Sequence, residues 1–93
     1  MLTAHVATPF KIELAATPTT GFAWEPAELP DGVRLIGSRF TPPATAMPGA
    51  GGTQVFELQA ARPGRVQLRF ALKRSWETGA AQHETVEVDV RAD

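Results

Sequence analysis

Ninety-three residues, 43% of them hydrophobic and with a formal net charge of −1, make a single domain over residues 1–93 with one modest core. They exclude a surface built around phosphate or anionic-lipid contacts, and no apolar run reaches membrane-spanning length, so neither nucleic acid nor membrane is an expected partner. The absence of cysteine removes disulfides, thiolate metal sites and thiol nucleophiles.

In chain order, the opening Met1-Leu2-Thr3-Ala4-His5 lacks the basic start and apolar stretch of a signal peptide. The compartment stays open: cytoplasmic as the chain stands, periplasmic or secreted if a leader was trimmed. His5-Val6-Ala7 is expected as a short edge strand stopped by Pro9. Phe10, Ile12 and Leu14 then alternate with Lys11 and Glu13, the period of a strand buried on one face. Phe22 and Trp24 share a face around Ala23, which puts Trp24 in the core. Residues 33 to 40 predict a less regular strand in which Gly37 marks a bulge. Phe56, Leu58 and Ala60 alternate with Glu57 and Gln59. Val66, Leu68, Phe70 and Leu72 alternate with Gln67, Arg69 and Ala71, and Val86, Val88 and Val90 with Glu87 and Asp89. Short strands at this spacing, with no sustained helical period, predict an all-β fold, an antiparallel sandwich.

The connections between these strands differ in kind. If successive strands run antiparallel, alternate connections fall at the same end of the molecule. One end receives Pro26 to Gly32 and Arg62-Pro63-Gly64, which read as simple turns. The other receives Thr17 to Gly21, Thr41 to Gly52 and Arg74 to Gln82. Each of these is longer than a reversal needs and carries unusual chemistry. The first is Thr17-Pro18-Thr19-Thr20-Gly21 ahead of Phe22, the second contains Gly49-Ala50-Gly51-Gly52, and the third sets Trp76 among polar neighbours after Arg74 and Ser75. Sandwich domains that recognise proteins commonly do so with loops clustered at one end.

In order and spacing, these three stretches resemble the signature loops of the chagasin-type inhibitors of papain-like cysteine proteases. In that family the loops read Asn-Pro-Thr-Thr-Gly-Tyr/Phe, Gly-x-Gly-Gly and Arg-Pro-Trp. Here Thr17 stands in place of the asparagine and Ser75 in place of the proline. The resemblance implies an immunoglobulin-like sandwich, a monomer when free, whose three loops form a wedge that fills a protease cleft. Thr17, Pro18, Thr19, Thr20, Gly21 and Phe22 would sit at the catalytic cysteine. Gly49, Ala50, Gly51 and Gly52 would grip one side, and Arg74, Ser75 and Trp76 the other.

The residues suit that role on physical grounds as well. Pro18 fixes one φ and Gly21 permits a turn closed to other residues, so the first loop is stiff before it binds and loses less entropy on association. Thr19 and Thr20 present small surfaces that enter a narrow cleft. Gly51 and Gly52 let backbone approach backbone, and Trp76 offers the large rigid contact enriched in interface hot spots. The competing reading is an immunoglobulin-like module that uses the same end on a non-protease partner.

Enzymatic chemistry has little to work with. The three loops contain no His, Cys or Asp, their only acid is Glu77, and Thr19 and Thr20 have no base to activate them. No cofactor motif and no metal-ligand spacing occurs, and His5 and His83 are too far apart in sequence to suggest a site. Arg65, Arg69 and Lys73 make a basic stripe that Glu87 and Asp89 are expected to face across the sheet.

Overall fold

The computed structural model describes residues 2–16, 21–42, 51–74, 76 and 79–92. Among them the chain forms seven strands: β1 (Leu2–His5), β2 (Phe10–Ala16), β3 (Phe22–Glu28), β4 (Val33–Thr41), β5 (Gly52–Ala60), β6 (Gly64–Arg74) and β7 (Gln82–Arg91). They build two sheets, one ordered β1-β7-β6-β3 and the other β2-β5-β4. The predicted all-β sandwich is the observed architecture.

Alternation explains the core. Ile12 from β2, Phe56, Leu58 and Ala60 from β5, Leu68 and Phe70 from β6, and Val88 and Val90 from β7 all project between the sheets and are buried. At the centre the rings of Phe56 and Phe70 meet across the two sheets, with centroids 4.9 Å apart and planes inclined by 39°, a favourable tilted geometry. Val55 and Ala71 lie on the outer faces of the central strands and are nevertheless buried. Their cross-strand neighbours are Glu13 and Arg39 for Val55, and Glu25 and His83 for Ala71. Longer side chains on both flanks cover a short one between them.

Three expectations about extent and pairing are corrected. The first strand runs over Leu2–His5, and Val6 and Ala7 form the following turn. It pairs parallel with β7, Leu2 opposite Val88 and His5 opposite Arg91, where every other pairing is antiparallel. Ala7 turns the chain with a φ of 64° while its N–H donates to the Ala60 carbonyl at 2.9 Å. The stretch from Pro26 to Glu28 belongs to β3 rather than to a turn, with Pro26 opposite Phe70. The strand tolerates a proline because it lies at the edge of its sheet, where a missing N–H breaks no ladder. A register shift between Pro26 and Glu28 leaves Ala27 as an extra residue.

The bulge expected at Gly37 is present. Leu35 pairs with Leu58 and Gly37 with Glu57, so Ile36 is the inserted residue. The consequence reaches the end of the strand. A single inserted residue switches which side chains face inward, and it is Phe40 rather than Arg39 that lies opposite Gln54 on the inner face.

The basic stripe is offset from both sides. Arg65 lies opposite Asp89 as expected, and Gln67 opposite Glu87. Arg69 has Thr85 on one flank and Glu28 on the other, and Lys73 pairs with Glu25 of β3 at 3.0 Å. Asp89 itself is also held by Arg91 at 3.4 Å.

Candidate functional site

The strand ends that frame the three long connections are gathered at one end of the sandwich. Ala16 lies opposite Gly52, Thr41 opposite Thr53, Phe22 opposite Arg74, and Leu72 opposite Gln82. Thr17, Pro18, Thr19, Thr20, Gly49, Ala50 and Ser75 lie outside the described residues. Gly21, Phe22, Gly51, Gly52, Arg74 and Trp76 are described, and each has a definite place.

The first connection crosses from one sheet to the other, and its base is tied by Trp24. The indole N–H donates to the Ala15 carbonyl at 2.8 Å, which joins β3 to β2 immediately inside the loop. The side chain is 7% exposed, in keeping with its inward parity. Gln54 completes the seam. Its Oε1 accepts from the Trp24 backbone N–H at 2.7 Å, and its Nε2 donates to the Trp24 carbonyl at 2.8 Å. One amide thus satisfies two groups on the free side of an edge strand, which protects that edge and fixes the spacing of the sheets there.

At the loop itself Gly21 has a φ of 84°, a conformation open to glycine and costly for other residues. Phe22 and Arg74 face each other across the β3–β6 ladder. The Arg74 guanidinium lies 4.4 Å from the centre of the Phe22 ring and 5.8 Å from that of Trp76, both within reach of a cation–π contact. The planar cation therefore stands between the first and third connections. Trp76 is 70% exposed, the most exposed large hydrophobic among the described residues. The ring adds apolar surface at the end where the framing strand termini gather.

The second connection joins the cluster through Gly52. A Cβ at this position would stand 2.5 Å from both Cζ of Phe40 and the Thr41 carbonyl oxygen, closer than any real side chain tolerates. Gly52 is thus required by the approach of β4 to the start of β5, a reason internal to the fold. Gly51 beside it is exposed.

Two members of this end escape a reading by motif. Gln54 shares the inward parity of Phe56, Leu58 and Ala60, and a polar residue at such a position is itself a signal, because a buried amide demands partners. Phe40 is placed by the bulge, and its 40% exposure beside Gly52 adds apolar surface near the loops. Among the described residues no group of three or more His, Cys, Asp or Glu side chains could hold a metal ion. The described part of this end offers rings, glycine backbone and one guanidinium.

A concavity at the opposite end is lined by Ala7, Val33, Arg34, Gln59, Ala60 and others. Its main polar side chains already bond each other, Arg34 donating to Gln59 Oε1 at 2.7 Å.

Comparison with known proteins agrees with this fold. The curated protein chagasin of Trypanosoma cruzi is 29% identical over 97 residues, an alignment covering 99% of this chain and 88% of chagasin. The crystal structure of the cysteine protease inhibitor EhICP2 from Entamoeba histolytica matches with a TM-score of 0.74 at 24% identity, over 97% of this chain and 85% of that one. The structure of the Leishmania mexicana ICP matches with a TM-score of 0.60 at 22% identity, over 99% and 87% of the two chains. At these identities the structural matches speak to the fold alone. The family model described as chagasin family peptidase inhibitor matches residues 3–90. An all-β sandwich, three elaborated connections at one end and a family match over nearly its whole length together assign this chain to the chagasin family of peptidase inhibitors.

Proposed function

We propose that the protein is a reversible inhibitor of papain-like cysteine proteases that occludes the active-site cleft with the three connections at one end of the sandwich. The observation that carries this reading is the held and exposed Trp76, 70% accessible, beside Gly21 and Arg74 at the end where all three connections meet. Family membership supplies the class of target, peptidases. The chagasin-type loops supply the narrower one.

The first connection, Thr17 to Phe22, enters the cleft at the catalytic cysteine. Gly49, Ala50, Gly51 and Gly52 bear on one rim, and Arg74, Ser75 and Trp76 on the other. Inhibition is occlusion: the cleft is filled, and no peptide carbonyl is presented in attack geometry. The free protein is a monomer and needs no cofactor for this task.

Titration against a papain-like enzyme and an unrelated serine protease tests the proposal. The expected result is stoichiometric, reversible loss of the first activity with the second untouched. Equal inhibition of both, or of neither at micromolar protein, would overturn it.

A further inference from the structure

Gly21 meets two separate demands. Its φ of 84° excludes most side chains on backbone grounds. The second demand is room. A Cβ at this position would stand 2.8 Å from Cη2 of Trp76, with Cζ3 and Cζ2 of the same ring at 3.5 and 3.6 Å. A left-handed turn alone would admit asparagine, which adopts this conformation more readily than other non-glycine residues. With the ring edge 2.8 Å from the Cβ position, asparagine or alanine fits only if the exposed indole swings off its place. Arg74 lies near the same indole, 5.8 Å from its centre, so the exposed ring has a glycine at its edge and a guanidinium close by.

We propose that Gly21 is a positioning residue: the absence of a side chain seats the Trp76 indole, and this seat ties the residue that leads into β3 to the tryptophan that follows β6. The ring that rests on the glycine thus ties Gly21, which leads into β3, to Trp76 beyond the end of β6. A binding surface with its parts already in register loses less freedom on association. The consequence for inhibition rests on the protease reading above, whereas the seat is a property of the free molecule.

A double-mutant cycle separates strain from contact. Gly21→Asn and Trp76→Ala are each expected to weaken inhibition of a papain-like protease by about tenfold or more, and the Asn penalty is expected to shrink by about tenfold once Trp76 is alanine. Additive penalties would overturn the proposal. A second measurement needs no protease. Trp76→Ala removes an exposed ring and should fold. Its amide spectrum is expected to differ from the parent at Gly21 and in residues 17–20, and unchanged resonances there would also overturn the proposal. If the parent protein fails to inhibit while this spectral coupling is present, the protease reading falls and the seat stands. If the parent inhibits while the cycle is additive and the resonances are unmoved, the seat falls and the protease reading stands.

Discussion

Two tryptophans in one small domain do opposite work, and their surroundings say which is which. Trp24 is buried, bonds Ala15 through its indole and engages Gln54 through both backbone groups. Trp24→Ala is expected to cost ~3–5 kcal/mol of stability, the range for emptying a large aromatic site. A denaturant titration reads this directly. Trp76→Ala is expected to cost no more than ~1 kcal/mol of stability, the scale of an exposed cation–π contact. It should weaken protease binding by about 1–3 kcal/mol, chiefly through faster dissociation. Gln54→Ala tests the seam: with the Trp24 N–H and C=O left without their partner, stability should fall by ~1–3 kcal/mol. A change within ~0.5 kcal/mol, as for an ordinary surface site, would mean that water replaces the amide. The core role of Trp24 was legible from its parity with Phe22, and the exposure of Trp76 from its polar neighbours. The Gln54 clamp was not legible as a contact, because its partner lies 30 residues away in the other sheet. Only its inward parity hinted at one.

Among the elements, the sequence announced those with clean alternation and missed those defined by a distant partner. The bulge at Gly37 could be read locally, since a glycine in an irregular strand is its usual mark. The parallel pairing of β1 with β7 could not, because nothing in Leu2–His5 encodes the direction of a strand more than eighty positions away. Likewise Pro26 argued for a turn until its place on a sheet edge removed the objection. For the candidate site, the motif loops pointed to one end, and the register of the strand termini gathers the strand ends that frame them. The geometry of Gly52 under Phe40 depended on a bulge earlier in β4 and stayed hidden. Thr20→Arg should leave cooperative unfolding intact and lower affinity for a papain-like protease by at least ~2 kcal/mol, the hot-spot scale. Comparison of melting curves with inhibition constants distinguishes obstruction of the cleft from damage to the fold.

The whole molecule measures 44 × 31 × 20 Å. Strand β6 has 11 residues, which at ~3.3 Å per residue span roughly 36 Å, so the long axis follows the strands and the strand ends that frame the three connections lie at one of its tips. The side between β2 and β3 is closed by the Trp24–Gln54 seam directly behind that tip. With a net charge of −1 the molecule carries little long-range field to steer a charged partner. The measurement that bears most directly on this account is competition at the catalytic centre of a papain-like enzyme. The enzyme is first saturated with a small ligand covalently attached to its catalytic cysteine, and binding of the protein is then followed by calorimetry or surface resonance. The account predicts that occupancy of the centre abolishes or severely weakens association, and that the protein in turn shields the free cysteine from the small ligand. Undiminished binding to the blocked enzyme, or labelling of the cysteine within the complex at the free rate, would contradict it.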